Sequence, residues 1–327
     1  MNMSVPKLFL LLFGALVLLF LASLSAGKIW IPWSAWFAAV NDPQWIIVFD
    51  LRLPRTILAL AVGAALGMSG AALQGYTRNA LADPGIMGVS SMAAFGAVMT
   101  MYLGTASAMP WVLPTGAMAG ALIGIAVLLS LSGAISSVLT FILAGVILNT
   151  VASAGVALAL NLAPTPWAVN EIINWLMGSV ADRSRNEVAF ALPFIAIGCT
   201  LIATTGRALD ALTLGDAAAR SLGIRMERTR LALALGIGLA TGASVAVTGM
   251  IGFVGLITPH LLRPLIGARP GALLVPSAFA GAVLVLAADI IVRLIPSPAE
   301  LKLGVAMAAL GGPFFLLMLI DMRRRAA

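Results

Sequence analysis

The side chains that could do chemistry fall in four polar interruptions of a long apolar chain. Asp289 and Arg293 stand four apart in AADIIVRL, the spacing that places two side chains on one helix face and lets them pair. The stretch QGYTRNALADPGIMG, residues 74–88, concentrates Gln74, Arg78, Asn79 and Asp83 between two apolar segments. GRALDALTLGDAAARSLGIRMERTR, 206–230, is the longest polar run, and MIGFVGLITPHLLRPLIG, 250–267, carries His260, the chain's single histidine. One histidine and one cysteine (Cys199, within FIAIGCTLIA) predict no metal site and allow no intrachain disulfide. No GxxxxGK[ST] loop, HExxH helix or pair of intramembrane acids is present, so nucleotide hydrolysis and metalloprotease chemistry are not expected here.

The elements that must position these groups follow from composition. Of the 327 residues, 61% are hydrophobic and 9% charged, and the mean hydropathy is +1.08; soluble chains carry about 25% charged residues. A bilayer needs about 20 mostly apolar residues per helical crossing. Ten segments qualify: 8–26, 56–75, 86–104, 110–132, 138–161, 188–206, 229–248, 250–266, 271–294 and 301–321. The eighth is short and holds Pro259 and His260, which suits a partly re-entrant segment packed inside protein. The first has the small-residue exit of a signal peptide, but its apolar run from Leu8 to Leu24 exceeds the usual signal core of about 7–15 residues. It reads as a retained helix.

Ten crossings place both termini on one side. With that side cytoplasmic, inner segments hold Lys7, Arg78, Arg207, Arg220, Arg225, Arg228, Arg230, Arg263, Arg269, Arg323, Arg324 and Arg325. Outer segments hold Lys28, Arg52, Arg55, Arg183, Arg185, Arg293 and Lys302, a bias that fits the positive-inside rule. The net charge of +7 thus reflects topology and implies no nucleic-acid partner.

RLPRTILALAVGAAL (52–66) is echoed by RMERTRLALALGIGL (225–239). The first copy runs inward and the second outward, as in an inverted-topology repeat with helices two to five mirroring seven to ten. Small residues at 63–72 and 236–246 suit close helix–helix approach in lipid. Within 206–230 an apolar stripe broken by Gly215 and Gly223 predicts two short amphipathic helices joined by a turn, able to lie on lipid or dock in a soluble partner's groove.

Together, RNALADPGIMGVSSMAAFGA, LTLGDAAARSLG, GFVGLITPHLLR and PSPAELKLGVAMAALGGPFF, in that order between about 50 and 320, resemble the permease subunits of the iron–siderophore, haem and cobalamin importers. These are the ten-helix, type II class of ATP-binding-cassette importers. The resemblance implies an all-α polytopic chain forming one transmembrane domain over 1–327, with a cytoplasmic coupling segment at 207–228. It also implies a homodimer in the bacterial inner membrane, two ATPase subunits that bind the ATP and Mg, no cofactor in this chain, and a periplasmic substrate-binding protein. By the same resemblance Leu212, Gly215, Ala219 and Gly223 shape the ATPase-coupling element. Asn79 and Leu81 sit at a cytoplasmic gate beside Ser137 and Val138, and Arg52, Arg55 and Arg293 receive acidic residues of the binding protein. A purely internal role stands beside docking for these arginines: Arg52 beside Asp50, Arg293 beside Asp289. The cargo that the resemblance implies is an iron chelate or corrinoid, with iron–siderophore the commonest assignment in the family, then haem, then cobalamin. An ion-coupled secondary transporter is the alternative, because inverted repeats serve those proteins too.

The topology has a direct check. With Cys199 replaced, a cysteine introduced at Ala217 is expected to react with a membrane-impermeant maleimide only after the cytoplasmic side is opened. Labelling in intact cells overturns the assignment.

Overall fold

A computed structural model describes residues 4–40, 42–107, 109–132, 138–297 and 299–326. Ten long helices occupy the ten expected segments: α1 (Val5–Ser25), α2 (Leu53–Thr77), α3 (Val89–Tyr102), α4 (Val112–Ser132), α5 (Val138–Asn161), α6 (Arg185–Thr204), α7 (Met226–Thr248), α8 (Val254–Ile266), α9 (Pro270–Leu294) and α10 (Leu303–Ala326). Seven are long and apolar enough to cross a membrane; α3, α8 and the apolar part of α10 are shorter. No strand occurs among the described residues.

The helix ends follow local chemistry. Pro54 and Pro270 sit in the first turns of α2 and α9, where a missing N–H costs nothing. Ser184 and Glu187 form a reciprocal capping box that starts α6. The segment before α2 is more ordered than composition suggests. Asp42 caps Pro43–Ile46 by accepting from Gln44 N at 2.7 Å, and π-turns Ile47–Arg52 then run into α2 without interruption. A further short helix, Pro166–Leu176, follows α5 and is capped by Thr165. It was not legible as a span, being too short and too polar.

Backbone contact between helices organises the centre. A Cβ added to Gly63 would lie 2.3 Å from the Gly281 carbonyl oxygen, and one on Gly67 would lie 2.2 Å from that of Ser277, so α2 and α9 touch main chain to main chain. Gly70 meets Gly255 of α8 in the same way at 2.1 Å. Gly236 of α7 faces Gly198 of α6, while Gly238 and Gly242 receive Ile125 and Ala121 of α4. Lipid tails are as apolar as leucine, so close van der Waals contact, not water expulsion, holds such faces together.

The packing exchanges the two halves. Helix α2 packs on α9 and α8 of the second half, whereas α7 packs on α4 and α3 of the first, and α2 meets α7 at the centre. This reciprocal pattern is what a pseudo-twofold repeat of helices two to five and seven to ten produces. Local geometry repeats as well: α3 starts after Gly88 at φ +73° and α8 after Phe253 at φ +67°. The predicted eighth segment accordingly loses its first residues to a break at Gly249–Phe253, and the break faces residues 83–85 of the α2–α3 connection across one cavity.

The α2–α9 contact yields a contrast. Gly63→Val is expected to lower the thermal unfolding midpoint in detergent by several degrees, because overpacking a tight core costs about 1–3 kcal/mol. Gly14→Val, on an α1 position with nothing within 4 Å of the new Cβ, is expected to leave the midpoint unchanged.

Candidate functional site

Polar chemistry gathers at the two ends of the α2–α9 pair. At the Arg55 end, Asp289 is fully buried and accepts from two guanidiniums. Arg55 donates from Nε at 3.0 Å and from Nη2 at 2.8 Å, and Arg293 donates from Nε at 2.9 Å and again from Nη2. The rest of the Arg55 fork reaches Glu300 in the α9–α10 connection, with Nη1 to Oε2 at 3.1 Å and Nη2 to Oε1. Arg293 continues to Ser23 of α1, donating to its carbonyl at 2.9 Å and its hydroxyl at 2.6 Å, and that hydroxyl pairs with Thr56. Two cations and two anions therefore balance, with their donors and acceptors largely met, as buried charge requires.

Arg52 takes another partner. Its Nη1 donates to the Leu24 and Ser25 carbonyls at 3.0 and 2.6 Å, and Nη2 donates to Ile29 at 2.6 Å. The last carbonyls of a helix lack intrahelical donors and carry partial negative charge, so Arg52 caps α1. The pairing of Arg52 with Asp50 that sequence proximity offers does not form; Asp50 binds Arg185 at 2.5 Å. The four-apart Asp289–Arg293 pair does form. Neither Arg55–Glu300, 245 residues apart in sequence, nor the capping role of Arg52 carried any sequence signal.

These groups border a cavity of about 220 Å³, lined by Lys28, Arg52, Arg55, Arg183, Arg293 and the acids Asp182 and Glu300, among others. Its cations outnumber its acids. Burial lowers the Arg183 guanidinium below its ordinary value, opposed by Glu187 and Asp182. Of the three predicted docking arginines, all line this cavity, with Arg52 and Arg293 themselves buried.

At the Arg78 end, the predicted pair of short helices is Gly206–Leu212 and Asp216–Ser221, joined through Gly215 at φ +96°. Leu212 and Ala219 point inward and are completely buried, while Leu214 and Leu222 are exposed. Gly223 has φ +82°. Asp210 accepts from the Gly271 N–H at 2.8 Å and from Arg269 at 3.1 Å, and Asp216 accepts from Arg78 at 3.1 Å. Gln74, buried on α2, donates to the Gly255 carbonyl at 3.1 Å and accepts from Arg263 at 2.5 Å, which joins two of the sequence motifs through one amide.

Helix α2 ends at Arg78, in the left-handed region at φ +52°. Asn79 follows and folds its side chain back to accept from Leu81 N at 2.9 Å. Asn79 shares a small cavity with Phe141 and Ile142 near the start of α5, so the loop and that helix are brought together. Val138 opens α5; Ser137 lies outside the described residues. Asp83 caps the turn Pro84–Met87 by accepting from Gly85 N at 2.8 Å. Burial raises its carboxyl above the ordinary range, and that hydrogen bond opposes the shift. A cavity of about 130 Å³ separates Asp83 and Pro84 from Thr248, Gly252 and Phe253. His260 stacks edge-on against Phe314, and no group of three metal-ligating residues occurs among the described residues.

A multi-pass helical chain with broken helices at its centre and charged networks at both ends has the build of a membrane transport protein. The chain belongs to the FecCD transport family, which it matches over residues 15–321. It is 36% identical to the Hemin transport system permease protein HmuU of Yersinia pestis, over 98% of this chain and 97% of that protein. It is also 36% identical to the Vitamin B12 import system permease protein BtuC of Klebsiella pneumoniae, over 96% and 94%. It is 38% identical to the ABC transporter permease protein YvrB of Bacillus subtilis, over 95% and 93%. A solved metal-chelate type ABC transporter in an inward-facing conformation superimposes with a TM-score of 0.88 at 32% identity, covering 97% of this chain and 99% of that one. The protein is thus a membrane transport subunit, and ATP hydrolysis belongs to a separate ATPase.

The Asp289 network can be tested on the isolated permease. Asp289→Ala strands two guanidiniums and is expected to cost about 3–5 kcal/mol, read as a large fall in unfolding midpoint or loss of folded protein. Glu300→Gln, which keeps a hydrogen-bond acceptor at a half-exposed position, is expected to cost far less.

Proposed function

We propose that this chain is the permease of an importer that carries an iron chelate or corrinoid inward, with the Arg55 end periplasmic and the Arg78 end cytoplasmic. The observation that carries the reading is the cytoplasmic-side helix Asp216–Ser221. It has exposed Leu214 and Leu222 at its ends, basic Arg220, Arg225 and Arg228 around it, and glycine turns on both sides. An exposed amphipathic helix of this kind suits a cleft on a soluble partner. Leu212, Gly215, Ala219 and Gly223 shape it, two by burial and two by backbone conformation. ATP and Mg bind on that partner, an ATPase subunit, one for each of two permease copies. The exposed apolar faces of α5 (Leu139, Leu143, Ile147) and α10 (Leu310, Leu317) are where the second copy fits, with the route between.

Asn79 and Leu81, with Ser137 and Val138 opposite, form the cytoplasmic gate in this reading. On the periplasmic side the surplus positive charge around Arg52, Arg55 and Arg293 attracts acidic residues of a binding protein. Complementary charge of this kind sets orientation and on-rate more than affinity. The haem and cobalamin relatives match this chain equally well, so similarity does not rank these cargoes; iron–siderophore stands first on frequency within the family alone. Ion coupling is disfavoured because Asp289, the acid well inside a predicted span, is spent on Arg55 and Arg293.

Proteoliposomes holding the permease, ATPase and binding protein are expected to take up haem, cobalamin or a ferric siderophore only with MgATP, and equally well after proton and sodium gradients are collapsed. Uptake that needs a gradient and ignores MgATP overturns the proposal.

A further inference from the structure

The two short helices of the coupling segment are held very differently. Gly206–Leu212 is fixed, because it buries Ala208, Leu209, Ala211 and Leu212 and its Asp210 is bound by both a backbone N–H and Arg269 of the α9 start. Asp216–Ser221 buries only Ala219. It is bounded by Gly215 and Gly223, both at positive φ with open space where a Cβ would stand. Few buried contacts between two unrestricted turns make the second helix the part able to rock against the first.

Among the described residues, the one ion pair joining that helix to the rest of the chain is Asp216 to Arg78. Arg78 is placed for a purpose beyond capping α2. It holds a left-handed conformation that non-glycine residues adopt uncommonly, its own N–H closes the helix on the Gln74 carbonyl, and the next residue is Asn79. The ion pair thus joins the short helix directly to the first residue of the 78–88 loop.

We propose that the Arg78–Asp216 pair is the contact by which the hinged helix biases the gate loop, making Arg78 a positioning residue for gating. The inference rests on the coupling role given to 207–228 and the gate role given to Asn79 and Leu81 above. The magnitude decides what kind of device this is. The two side chains are 45% and 35% exposed, and exposed pairs shift an equilibrium by only about fivefold or less. The pair therefore weights the open and closed populations of the loop; it does not drag the loop as a rigid rod.

The test uses the complete transporter in proteoliposomes, with Cys199→Ser and a reporter cysteine at half-buried Ala80. The readout is the ratio of maleimide labelling rates with and without MgATP, taken beside ATP hydrolysis, so no cargo is required. Asp216→Arg and Arg78→Glu are each expected to shrink the MgATP response, taken per ATP hydrolysed, about threefold to fivefold. The exchanged pair, Arg78→Glu with Asp216→Arg, is expected to restore it. About 1 M KCl, where the Debye length is about 3 Å, is expected to reproduce the single variants. Single variants that respond like the parent, or an exchange that fails to rescue, overturn the proposal and leave the coupling reading standing. Release of the ATPase by Asp216→Arg also overturns it, because Asp216 then serves the partner. A parent that hydrolyses ATP with no change in labelling removes the gate reading of the 78–88 loop, and this inference with it.

Discussion

The direct main-chain contact between α2 and α9 is the constraint on which the rest of the structure depends. Gly63, Gly67 and Gly281 leave no room for a side chain at the crossing, and in lipid that closeness is itself the attraction. Once the two backbones touch, their outer ends bring Arg55, Asp289 and Arg293 within hydrogen-bond reach. At the other end, the α2 C-cap reaches Asp216 and the α9 start reaches Asp210, both within the 206–230 segment. The apolar packing and the buried charge therefore stand or fall together.

Helix α1 is fastened by the same economy of groups. Before its end it buries only Leu8, whereas Ser23, Leu24 and Ser25 are all buried. Arg293 and Arg52 supply donors to carbonyls that the helix leaves open. One buried charge cluster thus secures three helices and shapes the mouth of a cationic cavity. Internal support and a surface attractive to acids are compatible here because Glu300, unlike Asp289, lies partly in solvent. The outer arginines do not have to be free in order to set a positive field.

The opposite end works by looseness. Asp210 and Gln74 are held on several sides, whereas the helix Asp216–Ser221 is attached by one buried alanine and one exposed ion pair. Stability is distributed so that this exposed element is the one with least to lose by moving. The two breaks, after α2 and after α7, meet at a shared cavity, which places irregular backbone where it lines an interior space and not lipid.

Length and hydropathy determined the ten helices and their order, because a bilayer demands about 20 apolar residues per crossing whatever the neighbours are. The RxxRT echo showed the repeat, and the glycine breaks within 206–230 showed the two short helices, since both are properties of contiguous sequence. The Asp289–Arg293 pair was legible for the same reason, being four apart on one helix. What only the tertiary structure decided were the partners across helices: Glu300 for Arg55, the α1 carbonyls for Arg52, Arg263 for Gln74 and Asp216 for Arg78. Asp50 stood two residues from Arg52 and lost it to the end of another helix, because orphan carbonyls are fixed in space while neighbours in sequence need not face each other. Sequence sets which groups must be satisfied; only the fold brings donors and acceptors far apart in the chain close enough to do it.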